Sequence, residues 1–282
     1  MCTVPLLRRV CRESYSEPLA VYETLKRRGM DLVTVTDHDS IDAAEPLRRH
    51  PDFFLSEEVS AVSPSGTRLH VGVYDIEDRH HMEVQRRRND LPSLAAYLRE
   101  ERIFFTINHV YSSLTGSRTE ADFAAFARHF PGMEVLNGQI PAHCNRAAAR
   151  LAACWGKAGA GGSDAHTLAS LAYTYTQVPD ARGKREFLDG LRLGQGTVHG
   201  ESGGYCKLTR AVWEIGFQMI REKPWTWPLS SLALAAPVVT LANCLREIVF
   251  VLKWGTATGI RRQSAVSGHR GWPEHRPEEA ES

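Results

Sequence analysis

Several things are scarce in this chain of 282 residues. It has no surplus of charge: 34 lysines and arginines face 33 aspartates and glutamates, a formal net charge of +1. That balance excludes a protein whose main task is sequence-independent coating of nucleic acid, which needs a strong basic excess. Cysteine is sparse, and Cys2, Cys11, Cys144, Cys154, Cys206 and Cys244 show neither paired metal-ligand spacing nor the density of a secreted disulfide scaffold. A secretory signal is not visible, because Met1 to Pro5 gives way at once to Arg8 and Arg9 without an apolar run. A reducing cytoplasm is therefore the expectation. Repeats and low-complexity tracts are missing too. Apolar residues at 43% and charged residues at 24% exclude wholesale disorder. What the chain holds in surplus is histidine, twelve in all.

From residue 18 to about 197 the pattern alternates. Pro18 opens a helical stretch ended by Gly29. Asp31 to Thr36 is a short β-branched run that reads as a buried strand. Apolar runs follow at Phe53–Ser60, Leu69–Ile76, Ile103–Ile107, Met133–Leu136 and Ala158–Gly161, with helical candidates at Ile41–His50, Arg79–Arg99, Ala121–Phe130 and Pro141–Ala153. Strands and helices taking turns predict an α/β fold of parallel strands with crossover helices, and so many units in under 200 residues favour a closed barrel.

Four segments put histidines and carboxylates at predicted strand ends, the edge where (β/α) barrels build active sites. They are Thr36-Asp37-His38-Asp39, Ser56-Glu57-Glu58-Val59-Ser60 with His70 opening the next strand, Thr106-Ile107-Asn108-His109, and Gly161-Gly162-Ser163-Asp164-Ala165-His166. In extended chain Asp164 and His166 point the same way and can face one site. Each segment has a plainer reading alone: Asp37 as a helix cap, Glu57 and Glu58 as a solvated pair, His109 as a hydrogen-bonded structural residue, Asp164 as a turn residue. Four strand ends each carrying a hard or borderline ligand point instead to a metal site.

Those segments, with Gly132–Gly138 and Asn145, resemble in order and spacing the PHP (polymerase and histidinol phosphatase) family over about residues 15 to 200. The resemblance implies a distorted seven-stranded TIM-like (β/α) barrel and two or three divalent ions (manganese, zinc or iron). The implied activity is phosphoester hydrolysis by a metal-activated water. It places His38, Glu58, His70, His109, Asp164 and His166 at ligand positions, with Asp37 as a weaker match. Glu58 would bridge two ions, and His38 and His166 would bind a third or serve as acid. The expected partner is a small phosphorylated substrate or nucleotide, without bulk nucleic-acid binding. The basic run Arg86-Arg87-Arg88 is a candidate phosphate grip, although a charge run is usually a solvated helix face.

One departure stands out. The family opens on a His-x-His pair, and no histidine precedes His38. Either residues such as Val10 and Arg12 replace that pair, or the first strand lies upstream of Met1, the reading favoured. A damaged site would make the chain a binding or scaffold module; an exonuclease on oligonucleotide ends is a further alternative.

The region 1–205 thus reads as the hydrolase barrel, 206–260 as a helical extension and 261–282 as a disordered tail. Leu208, Val212, Ile215 and Met219 recur at helical spacing and should pack on the barrel. Pro228 to Leu245 carries no charge, and Trp225, Trp227 and Trp254 flank the apolar block. Packing as a hairpin on the barrel or a partner is one reading, and contact with a membrane surface through 225–256 is the other. His80 and His81 read as surface residues, Cys144 and Cys154 as packed thiols.

Overall fold

The computed structural model describes residue 12 and residues 14–257. Helix α1 (Pro18–Arg27) starts on a proline, whose missing N–H costs nothing at that position, and stops before Gly29 at φ 82°. Strands β1 (Ser56–Val62) and β2 (Arg68–Tyr74) pair antiparallel, followed by α2 (Asp78–Arg87) and α3 (Leu91–Glu100). These two replace the single helix expected over Arg79–Arg99. Asp90 ends the run between them by capping α3, its carboxylate accepting from the Ser93 N–H at 3.3 Å. Strand β3 (Phe104–Asn108), α4 (Glu120–His129), β4 (Gly132–Asn137), α5 (Ala142–Trp155) and β5 (Ala158–Gly162) follow.

The five strands form one mixed sheet in the order β1-β2-β3-β4-β5. Its first two pairings are antiparallel and its last two parallel. The all-parallel expectation is thus corrected. Ser63 to Thr67 is too short a connection for a crossover, which needs a dozen or more residues, so β1 and β2 close as a hairpin. The stretch predicted as a first strand runs alongside β1 and the residues leading into it, joined by isolated parallel bridges, Val33 to Phe53 before β1 and His38 to Glu58 within it. The Ile41–His50 segment contains a 3-10 turn, Asp42–Leu47, rather than an α-helix, with Pro46 inside it.

Three elements were not foreseen: β6 (Thr174–Gln177), α6 (Lys184–Arg192) and β7 (Thr197–Gly200). The antiparallel β6–β7 pair, joined through α6, is a separate ladder leaning on β5, where the Thr176 hydroxyl meets the backbone of Gly161 at 2.7 and 2.8 Å. The fold is α/β, and among the described residues no sheet closes on itself.

Alternation along each strand sorts the side chains. Val59, Ala61, Val71, Val73, Phe105 and Ile107 face the helices, where Leu91, Leu94 and Leu98 of α3 are fully buried. Each such leucine contributes about 1.5–3 kcal/mol on leaving water. The opposite face carries Ser56, Glu58, His70, Thr106 and Asn108, and the site grows there.

Beyond β7 lie α7 (Tyr205–Glu222), a 3-10 stretch (Pro224–Ala235) and α8 (Ala236–Ala257). Phe250 and Trp254 of α8 join the main core, with Trp254 5.8 Å from the Phe123 ring. Of the stripe expected to pack from α7, Met219 is buried but Val212 is 45% exposed. The tail from 261 onward lies outside the described residues.

Candidate metal centre

Glu58 is the hub. Its carboxylate accepts from Asn108 Nδ2 at 2.7 Å, and three imidazoles surround it. His109 Nε2 lies 3.1 Å from one oxygen; His38 Nε2 and His70 Nδ1 lie 3.3 and 3.5 Å from the other. Register explains the convergence. His70 stands opposite Ser60 on β1 and Asn108 on β3, so neighbouring rungs deliver Glu58, His70 and His109. His38 arrives on the parallel bridge, where the Glu58 N–H donates to the Asp37 carbonyl at 3.1 Å and the Asp39 N–H to the Glu58 carbonyl at 3.0 Å.

Electrostatics follows from this crowding. Burial alone pushes the Glu58 carboxyl up, yet His109, His70 and His38 together hold it well below the ordinary carboxylate range. Burial drives His70 down to about 4, so its ring is neutral at pH 7, the form that binds metal. His109 goes the other way: burial lowers it, but Glu134 and Glu58 on either side raise it well above the usual imidazole value. Glu134 Oε2 sits 2.6 Å from His109 Nδ1 and also accepts the His109 backbone N–H at 3.0 Å.

Glu134 is the residue that sequence reasoning missed. In a regular strand Glu134 and Asn137 would face opposite sides. The register of β4 on β5 shifts between Glu134 and Leu136, and this bulge turns both inward. Asn137 Nδ2 then donates to Glu134 at 2.8 Å and to Asp164 at 3.1 Å, and lies 3.2 Å from His109 Nδ1. Asn145, noted for its resemblance, holds this turn from α5 through hydrogen bonds to the Asn137 N–H and carbonyl at 3.2 and 3.0 Å. A glutamate inside an otherwise apolar strand was the available signal.

Asp164 adopts φ 46°, so the extended geometry expected for Asp164 and His166 is not what forms. A left-handed turn instead sends His166 to the rim, its Nδ1 donating to the Asp164 carbonyl at 3.0 Å and its side chain 30% exposed. The Asp37 side chain is also exposed. The structure therefore gathers His38, Glu58, His70 and His109, links Asp164 through Asn137, and leaves Asp37 and His166 at the edge.

Neighbouring expectations sort similarly. Glu57, one residue from the hub, is buried on the helix side against His81 and Gln85 of α2, both at 2.9 Å. His80 is buried in the first turn of α2, so neither histidine of that pair is a free surface residue. Arg86 and Arg87 pair with Glu83, and Arg88 reaches Asp39 at 3.0 Å. That run is therefore spent on local pairs. Cys144 is buried as expected, while Cys154 is exposed.

The ligand atoms of His38, Glu58 and His70 lie within 4.8 Å of one another. His70 Nδ1 is buried and makes no hydrogen bond. Two neutral-capable imidazoles and an ionised carboxylate at this spacing fit a divalent cation of the borderline class. The group opens on a cavity of about 1390 Å³ bounded by the 31–38 stretch, β5 and β6, with Arg12, Arg28, Arg182 and Lys184 on its walls.

Residues 142–195, which include α5, β5 and the Asp164 turn, match a family described as PHP-associated. The match covers about a fifth of the chain. No curated protein sequence matches it. Among solved structures it is similar to PsfC from Pseudomonas syringae PB-5123, with 18% identity, a TM-score of 0.53, and coverage of 71% of this chain and 88% of that one. At that identity the likeness speaks to the fold alone. The lesion-specific endonuclease PfuEndoQ from Pyrococcus furiosus gives 16% identity, a TM-score of 0.48, and coverage of 67% and 55%. An amidohydrolase from Chromobacterium violaceum gives 16% identity, a TM-score of 0.40, and coverage of 54% and 83%.

Proposed function

We propose that this chain is a metal-dependent phosphoesterase acting on a small phosphorylated substrate or nucleotide. The observation that carries the reading is the buried Glu58 carboxylate ringed by His38, His70 and His109 at the edge of a large cavity. Glu58, His38 and His70 would hold the cation, with His109 and Asp164 completing the set when more than one ion binds. Once bound, the cation supplies Lewis acidity toward a phosphoryl oxygen and lowers the pKa of water into the neutral range.

The chain's own residues do the rest. Glu134 fixes the His109 ring from its Nδ1 side, which sets the direction of Nε2. Asn108 holds one Glu58 oxygen in place. Arg182 on the cavity wall would balance phosphate charge, whereas Lys184 is already paired with Asp75 at 2.9 Å and Arg28 with the Ala169 and Leu171 carbonyls. His166, whose Nδ1 donates to the Asp164 carbonyl and whose side chain opens to the rim, would serve as acid toward the leaving oxygen through Nε2 when its ring is doubly protonated.

The test is turnover by the full chain supplied with manganese or zinc against phosphomonoesters, phosphodiesters and nucleotides, with Glu58→Gln as control. Metal-dependent release of phosphate, lost in the variant, is the expected result. Metal binding without turnover of any of these would overturn the phosphoesterase and leave the binding-module reading.

A further inference from the structure

The C-terminal helix is built inside out. In α8 the residues facing the domain are Ala236, Thr240, Glu247, Phe250 and Trp254, two of them polar. The residues facing water include Val238, Val239, Leu245, Ile248, Val249 and Leu252, between 42% and 69% exposed. A helix on a water-soluble domain shows the reverse arrangement. The preceding 3-10 stretch continues the apolar surface, with Leu234 84%, Trp225 67% and Trp227 68% exposed.

Pro224–Gly255 is long and apolar enough to cross a bilayer by length and composition. The buried face argues against crossing. Glu247 accepts from the Ser113 N–H at 3.1 Å and the Ser113 hydroxyl at 2.7 Å. Thr240 bonds Thr209 of α7 at 2.7 Å, and Trp254 packs with its ring tilted against Phe123. The helix is tied to the domain along its length, and only its outer face is available.

The charges on that face decide the occupant. Among the described exposed residues of α8 the charged ones are Arg246 and Lys253. The acidic residues of α7 are already engaged, Glu214 with Arg210 and Glu222 with Arg12. Tryptophans beside an apolar strip with cations at its edge suit the headgroup level of a membrane, where rings and long basic side chains bridge oil and water. A second copy would bring the same cations against each other. We propose that the outer face of α8 with the adjoining Trp225–Ala235 stretch docks this protein flat on an anionic lipid bilayer, without crossing it.

The experiment is flotation of the full chain with vesicles of phosphatidylcholine alone or mixed with phosphatidylserine, at low and high salt. Expected is binding to the phosphatidylserine vesicles, weakened by salt, and reduced roughly 25-fold in Arg246→Gln/Lys253→Gln, about fivefold per cation. Val249→Asp should abolish it, and the double charge variant keeps the test valid should that chain fail to fold. Three results would overturn the proposal: no flotation with either vesicle, retention in the bilayer after alkaline carbonate washing, or a dimer in light scattering that Val249→Asp dissolves.

Discussion

Replacing Glu58 by glutamine separates the site's structural cost from its metal chemistry. The substitution keeps the shape and one carbonyl oxygen, so the 2.7 Å bond from Asn108 can persist. It removes the negative charge facing three imidazoles. His109, held protonated by two carboxylates, keeps only Glu134 at 2.6 Å. A hydrogen bond to a charged group is worth about 1.5–3 kcal/mol and a neutral one about 1, so the metal-free variant should lose about 1 kcal/mol. For a chain of this size that is a fall in melting temperature of about 2–4 °C. Adding manganese or zinc at a hundredfold excess over its dissociation constant should stabilise the wild type by about 2.7 kcal/mol, a rise of roughly 5–10 °C. The variant should show little of that rise. Thermal unfolding of chelator-treated protein, with and without added metal, reads both quantities. A variant with wild-type melting in the absence of metal and an equal metal-induced rise would refute Glu58 as hub and ligand.

Glu134→Gln should weaken metal binding about 10- to 100-fold in titration calorimetry, because it loosens the His109 ring without removing a ligand. Asp122 is buried and accepts from Ser63 at 2.6 Å, Thr67 at 2.9 Å and the Thr119 N–H at 2.7 Å, so Asp122→Ala should cost about 3 kcal/mol in denaturant unfolding. Burial raises the Asp122 carboxyl, but these donors bring it net below its ordinary value of 3.8. Its contribution is therefore complete above that value and fades as pH falls through the lower folded value, and Asp122→Asn should flatten the acid limb of melting temperature against pH. Gly200 at φ 120° packs on the Tyr173 carbonyl with no room for a Cβ, so Gly200→Ala should destabilise the β6–β7 ladder by about 3 kcal/mol, seen as loss of amide-exchange protection there.

Apolar periodicity and strand-end punctuation are local, so the sequence by itself determined most of the elements of the α/β frame and four of the residues that meet: His38, Glu58, His70 and His109. The sequence also marked the uncharged C-terminal block, since composition needs no partner to be read. Tertiary structure decided everything that depends on which strands lie side by side. A five-residue turn made β1 and β2 a hairpin, and the register of His70 against Ser60 and Asn108 brought three strands' side chains to one point. Strand pleat sent Glu57 to the helices and Glu58 to the site, a choice one residue of slippage would reverse. The bulge in β4 brought in Glu134, and the left-handed turn at Asp164 moved His166 to the rim. The inverted face of α8 is likewise invisible in composition. Only its packing, through Thr240, Glu247 and Trp254, turns these residues to the protein and leaves an apolar strip outward, because burial is set by contacts between elements distant in sequence.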